Sequence, residues 1–231
     1  MIRVFIGYDS RETVAYGVLA HSINRHASQP VAIAPVMLDQ LKGVFHRERN
    51  ALQSTEFSFS RFLVPWMCGY EGWAVFMDCD MLMREDVAKL WELRDERYAV
   101  QVVKHVHVPN EETKFLGAVQ TKYEKKNWSS VMLMNCAKCR TLTPDFVNRA
   151  SGLELHQFKW LPGDEQIGEL PSKWNHLVEY DPPRGDASLL HYTIGGPWFA
   201  EYANCQYSDE WRAERDDMLS AKGRPKVAAA S

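Results

Sequence analysis

The sequence has none of the features of a membrane-spanning or exported protein. None of its apolar runs approaches the ~18 to 20 residues that a helix needs to cross a bilayer. Its amino terminus, Met1 to Gly7, leads directly into charged sequence, without the hydrophobic region of a secretory signal. We therefore predict a cytoplasmic protein with no transmembrane segment.

Cysteine is scarce. The chain of 231 residues has five cysteines, an odd number, which indicates reduced thiols and not a disulfide framework. Cys136 and Cys139 form a single CxxC pair, which is only half of a closed zinc site. The others are Cys68, Cys79 and Cys205. The cysteine pattern therefore disfavours a zinc site.

An excess of basic charge is also missing. Lys and Arg number 27 against 30 Asp and Glu, which gives a formal net charge of -3. A nucleic-acid binder normally carries a surface that neutralises phosphates, so no nucleic-acid partner is expected. Aromatic residues make up 12% of the chain, and they suit core packing as well as stacking on sugars or bases. This aromatic content leaves peripheral contact with a membrane open.

The chain has no internal repeat and no low-complexity linker, and 45% of its residues are apolar. At about 150 residues per domain, this length predicts one sizeable domain with additions. We expect residues 1–205 to form that domain. Residues 206–231 are more charged, and they predict a C-terminal helix at Ser208 to Leu219 followed by a flexible tail.

Short apolar runs alternate with helical patterns along the predicted domain. Arg3 to Gly7 predicts a strand, the capping-box spacing of Asp9 and Glu12 predicts a helix start, and Pro30 to Met37 predicts the next strand. The alternation continues with strands at Trp73 to Met77, Tyr98 to Val103, Ser129 to Met134 and Ser188 to Tyr192, and helices at Ser58 to Trp66, Glu85 to Leu93 and Pro144 to Ala150. This order predicts an α/β fold with a mainly parallel central sheet flanked by helices.

The clearest motif follows the apolar run Trp73 to Met77. Asp78 and Asp80 come directly after it, two residues apart. In an open α/β sheet ligands gather at the carboxyl ends of strands, and two carboxylates there can share one Mg²⁺ or Mn²⁺ ion. Alternatively, one carboxylate caps the next segment and the other faces solvent. The residues alone leave both interpretations open.

A second candidate, His191, ends another predicted strand and precedes Gly195 and Gly196. Glycines at that point let the backbone approach an anionic ligand closely. A hydrogen-bonded core histidine is the alternative interpretation. His105 and His107 alternate on one predicted strand face, where they indicate either a metal pair or a strand edge.

Two loops carry further polar residues. Tyr8 and Asp9 follow the first strand, where a ring could stack on a base and a carboxylate could contact its polar edge. Ordinary turn chemistry would give the same pattern. The loop from Gly163 to Gln166 is either a helix cap or a polar cluster that faces the Asp78 crevice.

In their order along the chain, these pieces resemble the family 8 glycosyltransferases, which have the GT-A nucleotide-sugar-binding fold. The resemblance covers most of residues 2–200. It rests on FIGYD from Phe5, SRF from Ser60, VFMDCD from Val75, SVMLMN from Ser130, LPGD from Leu161, LPSKWN from Leu170, and HYT from His191 followed by GGPW from Gly195. The family implies a nucleotide-diphosphate sugar donor, usually a UDP-sugar, and Mn²⁺ or Mg²⁺. It also implies transfer with retention to a hydroxyl of a saccharide, glycolipid or protein acceptor.

The same resemblance implies roles for single residues. The metal ligands would be Asp78, Asp80 and His191. The nucleotide-sugar contacts would come from Gly7, Tyr8 and Asp9 on the base and ribose, Arg61, the Cys79 backbone, Asn135 beside the sugar or diphosphate, and Gly195, Gly196 and Trp198. The catalytic candidates are Asp164, on sugar hydroxyls, with Glu165 and Gln166.

The sequence departs from the family pattern at two places. Family members often have Gln directly after the loop Asp, whereas here Glu165 follows Asp164 and Gln166 comes one residue later. The resemblance leaves open which of the two faces the anomeric carbon. Gly196 stands where the family has a Lys that contacts the diphosphate, so diphosphate binding is left to backbone amides or to another cation.

Two other functions fit part of the pattern. A haloacid-dehalogenase-type phosphatase also has an apolar strand followed by DxD, with Asp78 as nucleophile and Asp80 as acid/base. Met81 and Leu82 stand where that class has Thr or Val, which argues against it. The other alternative is a nucleotide-sugar-binding protein without catalysis, which the absent Lys makes conceivable.

Overall fold

A computed structural model of the chain describes residues 1–48, 53–106 and 124–220. The strands are β1 (Ile2–Gly7), β2 (Val31–Val36), β3 (Trp73–Met77), β4 (Met81–Met83), β5 (Val100–Val102), β6 (Val131–Asn135), β7 (Ile167–Glu169), β8 (His176–Leu177) and β9 (Leu189–His191). The helices are α1 (Thr13–His26), α2 (Val64–Met67), α3 (Val87–Glu92), α4 (Pro144–Arg149), α5 (Gly152–His156) and α6 (Ser208–Leu219).

Six strands form the central sheet, in the order β2-β1-β3-β6-β5-β7. The pairs β1 with β2, β1 with β3, and β5 with β7 are parallel, whereas β6 is antiparallel to both of its neighbours. Five strands therefore run in one direction and β6 runs in the other. This confirms the predicted α/β fold with a mainly parallel central sheet.

The centre of this sheet is buried on both faces. All residues of β3 and β6 are buried, which agrees with their continuous apolar sequence. β1 alternates at first and then ends in two buried residues, as expected for a strand beside the centre. The end of β3 is therefore held rigidly, and the Asp78 to Asp80 motif begins at that point.

The reversed direction of β6 decides which of its ends faces the motif. In the register of the β3–β6 pair, Met77 lies opposite Val131 and Trp73 lies opposite Asn135. In addition, the backbone N–H of Asp78 donates to the Ser130 carbonyl at 3.0 Å. The start of β6, and not its end, is therefore next to the motif.

A smaller sheet of three strands, in the order β4-β9-β8, continues from the motif. β4 and β9 are antiparallel, with Met81 opposite His191, and β8 is parallel to β9. The motif therefore links the last residue of the central sheet's β3 to the first residue of this smaller sheet. The pairing of β4 with β9 brings His191 beside Asp80, although 111 positions of sequence separate them.

α6 covers the smaller sheet and packs on α1. Its Trp211 is buried in an apolar cluster with Leu190 and Tyr192. Glu214 of α6 pairs with His21 and Arg25 of α1, at 2.6 and 2.9 Å. The predicted C-terminal helix is therefore present as part of the packed fold, while the predicted tail lies largely outside the described residues.

The region around Pro65 differs from its prediction as a helix that ends there. A short 3-10 turn over Ser60–Leu63 leads into α2, and Pro65 lies in the first turn of α2. Proline is tolerated at that point because a first-turn N–H has no partner within the helix. Across residues 1–48, 53–106 and 124–220, no helix has the length and apolarity to cross a membrane.

Candidate functional site

Asp78, Asp80 and His191 meet where the two sheets join. One potential ligand atom of each side chain lies within 4.8 Å of those of the other two, and all three residues are buried. The backbone N–H of Tyr192 donates to the Asp80 carbonyl at 2.9 Å, which fixes the two chain segments side by side. The structure thus brings together three residues that the resemblance implied as metal ligands.

The spacing of this triad suits a divalent cation. His191 Nε2 lies 3.4 Å from Asp80 Oδ1. In an octahedral site with bonds of ~2.1 Å, as Mg²⁺ takes, adjacent ligands are ~3.0 Å apart and opposite ligands ~4.2 Å apart. The two carboxylates match the donor preference of Mn²⁺ and Mg²⁺, and the imidazole favours a transition-metal ion over Mg²⁺. The residues therefore fit the implied metal.

Arg61 adds a positive charge to the triad. Its Nη1 lies 2.7 Å from Asp78 Oδ1 and donates to the Ser129 carbonyl at 3.0 Å. Its guanidinium also lies over the rings of Phe57 and Phe76, 5.1 Å from each centroid. These contacts hold a buried cation beside the first aspartate of the motif.

Negative charge is concentrated around Cys79. Burial, and then the nearby carboxylates of Glu12, Asp80, Asp78 and Asp9, hold the pKa of the Cys79 thiol well above its usual range. Because the thiolate is the nucleophilic form of cysteine, this thiol is not an activated nucleophile. The same concentration of carboxylates favours a bound cation.

The loop after β1 lies beside the end of β3. Gly7 packs so tightly that a Cβ there would overlap the ring of Phe57. The Tyr8 hydroxyl hydrogen-bonds Thr13 Oγ1 at 2.9 Å, and its ring meets the Tyr16 ring edge to face.

Asp9, in the same loop, is buried and already well supplied with donors. Its carboxylate accepts from the backbone N–H and the guanidinium of Arg11 and from the backbone N–H of Glu56. Burial alone would raise the pKa of Asp9, but these hydrogen bonds lower it overall. Asp9 is therefore ionised, and it shapes the loop through which Tyr8 would meet a base.

The segment Lys125 to Ser130, before β6, is part of the site although its sequence did not indicate this. The Ser129 carbonyl accepts from Arg61, the Ser130 carbonyl accepts from Asp78, and the Asn127 carbonyl accepts from Asn175. In the sequence, the run from Asn127 to Ser130 before an apolar strand could have indicated this segment, but only if the direction of β6 had been known. We call residues 125–130 the pre-β6 segment.

The pre-β6 segment holds a buried lysine. Lys126 is only 8% exposed, and its neighbours Lys125 and Asn127 have left-handed backbones with φ of 59° and 64°. Burial, together with the charges of Arg61 and Lys126, holds the pKa of His156 well below its usual range. The His156 ring, hydrogen-bonded to Ser129 Oγ at 2.8 Å, is therefore neutral. Two buried cations, Arg61 and Lys126, therefore lie near His156, and Arg61 also pairs with Asp78 of the triad.

The glycine pair after His191 is packed against an aromatic ring. Gly195 has φ of 148°, a backbone that side chains rarely adopt. A Cβ at Gly196 would overlap the ring of Trp198, which itself packs on Tyr192 and Trp211. The chain therefore has no space for a side chain at position 196, where the resembled family has its lysine.

Asn135 lies away from the site, which corrects the expectation that it contacts the sugar or diphosphate. It ends β6 and pairs with Trp73, the first residue of β3. Its Nδ2 donates to Glu96 Oε2 at 2.8 Å. The prediction was wrong because β6 runs antiparallel, so its carboxyl end lies at the opposite edge of the sheet from Asp78.

Gln166, which ends the turn Asp164–Gln166, also lies at the Trp73 end of the sheet. The Gln166 carbonyl accepts from the N–H of Ala99, whose own carbonyl accepts from Asn135. β7 is three strands away from β3, which is roughly 14 Å across a sheet. The structure therefore does not bring Glu165 or Gln166 beside the triad, as the catalytic expectation required.

Asp164 is linked to the site indirectly. Its side chain is 72% exposed and accepts from Lys125 Nζ at 2.5 Å. Both residues line a cavity of about 300 Å³ together with Gln157, Phe158, Leu161 and Gly163. This cavity lies at the outer end of the pre-β6 segment.

The remaining candidates do not form a second metal site. The Sγ of Cys139 donates to the carbonyls of Ala99 and Asn135, and burial raises the pKa of this thiol to about 12. Within the described parts of the chain, the triad is the one group of three or more potential ligands at metal-binding spacing. His105 follows β5, whereas His107 lies outside the described residues.

The sequence matches a curated plant protein, Protein CDI of Arabidopsis thaliana, at 48% identity over 225 residues. The match covers 93% of this chain and 86% of the relative. The chain belongs to the family of Protein CDI. No family model matches the sequence. The name of this CDI family describes no reaction, so the fold and the site carry the functional argument.

Solved glycosyltransferases share the fold of this CDI family member. The bifunctional glycosyltransferase WbbM superposes with a TM-score of 0.66 at 14% identity, covering 93% of this chain. The chain spans about half of WbbM, 49% of its length. The galactosyltransferase LgtC, solved with donor and acceptor sugar analogs, gives a TM-score of 0.54 at 12% identity. That match covers 96% of this chain and 98% of LgtC, and the fold is therefore of the GT-A type.

Proposed function

We propose that the protein is a metal-dependent glycosyltransferase. In this proposal it transfers a sugar from a nucleotide-diphosphate sugar, UDP-linked, to an acceptor hydroxyl with retention at the anomeric carbon. The observation that carries the proposal is the triad of Asp78, Asp80 and His191 at the junction of two sheets in a GT-A fold. In open α/β sheets, this end of the strands is where ligands bind.

The charges around the triad support a diphosphate as the ligand. When bound, the metal supplies positive charge that stabilises the departing diphosphate. Arg61 is a buried cation paired with Asp78, and Lys126 is a second buried cation in the pre-β6 segment, whose Ser129 and Ser130 carbonyls contact Arg61 and Asp78. A buried charge acts in a medium of low polarity. The two cations take the role that a lysine at position 196 would otherwise have, since Trp198 fills that space.

The nucleotide end of the donor is assigned to the loop after β1. β1 pairs directly with β3, so this loop adjoins the Asp78 motif in the sheet. The half-buried ring of Tyr8 offers a face or edge for a base, and ionised Asp9 keeps the loop in shape. Cys79 contributes backbone contacts between the two aspartates.

The proposed reaction needs no nucleophile from the protein. The bond from the anomeric carbon to the phosphate oxygen breaks, and the acceptor oxygen forms a new bond on the same face. The acceptor's proton passes to the phosphate oxygen that leaves. The residues near the triad support this, because the Cys79 thiol is protonated and Asp78 is paired with Arg61.

A thermal-shift experiment with UDP and Mn²⁺ tests the binding part of the proposal. A ligand at ~100 times its dissociation constant adds ~2.7 kcal/mol of stability, and we expect such a gain in the wild type. Asp80→Asn removes one ligand of the triad and should abolish the metal-dependent gain. Asp39→Asn is the matched control, since Asp39 is exposed and paired with Lys42 on the surface.

Three outcomes would redirect the proposal. No metal-dependent shift with any nucleoside diphosphate, in folded protein, would contradict it. A shift without transfer or hydrolysis of any UDP-sugar would indicate a nucleotide-sugar-binding protein. A phosphoryl group trapped on Asp78 would indicate the phosphatase chemistry.

A further inference from the structure

Asn175 is a fully buried residue that contacts His191 of the triad. It ends a 3-10 turn over Ser172–Asn175, directly before β8, and none of its surface is exposed. Its side chain makes two hydrogen bonds. Nδ2 donates to the Asn127 carbonyl at 3.2 Å, and Oδ1 lies 2.9 Å from His191 Nδ1.

These two contacts fix the orientation of the Asn175 amide. A backbone carbonyl can only accept a hydrogen bond, so the amide nitrogen must face Asn127. The amide oxygen must then face His191, and it too can only accept. His191 therefore carries a proton on Nδ1, which it donates to Asn175.

The consequence appears on the other side of the imidazole ring. A neutral ring with a proton on Nδ1 has a lone pair on Nε2. His191 Nε2 lies 3.4 Å from Asp80 Oδ1, which also carries lone pairs. Two electron-rich atoms at this separation repel each other unless a cation lies between them. A divalent metal ion held by both atoms would remove this repulsion.

His176, the next residue along the chain, makes different contacts from Asn175. His176 follows Asn175, but its Nε2 approaches the Tyr207 hydroxyl at 3.4 Å and its Nδ1 lies 3.7 Å from Asp181. Asn175 is therefore the residue of this pair whose side chain reaches His191. The pre-β6 segment in turn anchors Asn175 through the carbonyl of Asn127.

We propose that Asn175 is a positioning residue for the metal site. It holds His191 in the tautomer with a proton on Nδ1, so that Nε2 and Asp80 present lone pairs to one divalent cation. The inference rests on the metal-binding part of the proposed function, and it needs neither a nucleotide nor sugar transfer. Such outer hydrogen bonds orient metal-binding histidines and raise their basicity.

The first test is the tautomer itself, which requires no variant. In metal-free protein with ¹⁵N-labelled histidine, long-range ¹H–¹⁵N correlation spectra distinguish protonated from unprotonated ring nitrogens. We expect a protonated Nδ1 and an unprotonated Nε2 for His191 at neutral pH. A proton on Nε2, alone or together with one on Nδ1, would overturn the inference.

The second test is Mn²⁺ affinity, followed by the electron paramagnetic resonance signal of free Mn²⁺. Asn175→Leu removes the acceptor, and we expect affinity to fall ~10- to 100-fold. Asn175→Asp keeps an acceptor for His191 Nδ1 but loses the donor to the Asn127 carbonyl, so we expect a less stable protein that retains most of the affinity. Asn148→Leu is the control, because the Asn148 side chain likewise donates hydrogen bonds to backbone carbonyls, those of Val44 and Pro144.

The outcomes separate this inference from the proposed function. Unchanged Mn²⁺ affinity in folded Asn175→Leu, or equal losses in Asn175→Leu and Asn148→Leu, would overturn it. The expected tautomer and affinity loss would support it even if no sugar were transferred, and in that case only the proposed reaction would fail.

Discussion

The two ends of the central sheet both carry polar side chains, yet they differ in what those side chains contact. At the Trp73 end, Glu96 accepts from Trp73 Nε1 at 2.9 Å and from Asn135 Nδ2 at 2.8 Å. Donors and acceptors there are matched within the fold. At the Met77 end, carboxylates converge on one point beside a buried arginine. Polar residues at strand ends therefore mark a site only where like charges converge.

The comparison is sharpest for Arg61, whose removal should have the largest effect. Arg61→Met leaves Asp78 buried without its cation, and breaking a buried ion pair typically costs about 3 kcal/mol or more. We expect a corresponding loss in the free energy of unfolding, measured by urea denaturation. Added Mn²⁺ should recover part of it, since the metal restores positive charge at Asp78. A loss that Mn²⁺ leaves untouched would make the Met77 end a structural network like the Trp73 end.

Lys126 tests whether the charge at the Met77 end serves a ligand. We expect Lys126→Met to weaken UDP binding in the presence of Mn²⁺ about tenfold, or ~1.4 kcal/mol. Isothermal calorimetry gives the affinity. Lys138→Met is the control, because Lys138 Nζ binds the Glu96 carbonyl at the Trp73 end. Equal affinity in both variants would remove Lys126 from the proposed site.

Asn135 tests the other end of the sheet. Asn135→Ala deletes one hydrogen bond to Glu96, for which we expect a loss of about 1 kcal/mol in unfolding free energy. Mn²⁺ and UDP affinities should stay at the wild-type value. A loss of UDP affinity in a stable Asn135→Ala protein would break the distinction between the two ends.

His156 gives an effect that depends on pH. Burial lowers the pKa of His156 in the folded protein. Below about pH 6.5 this histidine therefore binds a proton in the unfolded chain but not in the folded one. The free energy of unfolding that neutral His156 contributes is fully present above that pH and is lost as the pH falls. The slope it adds is at most about 1.4 kcal/mol per pH unit. His156→Gln should lack this slope when unfolding free energy is compared between pH 5 and 8.

The sequence predicted best those elements whose burial follows from their own residues. The run Trp73 to Met77 has no polar residue, so a buried strand with carboxylates at its end followed from composition and spacing alone. The helix at Ser208–Leu219 followed from the charged composition of its segment. The α/β class, the DxD motif and His191 were therefore accessible before any coordinates.

Residues placed by strand pairing were not accessible in the same way. The strand predicted at Ser129 to Met134 is present as β6 (Val131–Asn135). A fully apolar strand has the same residue pattern whether it is parallel or antiparallel to its neighbours, so the direction of β6 was unknown. The resemblance had assigned Asn135 to the site, and without the direction of β6 the sequence did not indicate Lys126 or Ser129. Asn175 was missed for a related reason, because its contact with His191 depends on how β8 and β9 pair.

The contact between Gly196 and Trp198 couples the two positions in any mutational path. A lysine introduced at position 196 would meet the indole ring and should destabilise the fold before it could contribute charge. A change of Trp198 to a small residue would remove that overlap, but it would also remove the packing of the ring on Tyr192 and Trp211. Each single substitution is therefore expected to cost stability, and the two are epistatic because the effect of the lysine depends on the residue at position 198.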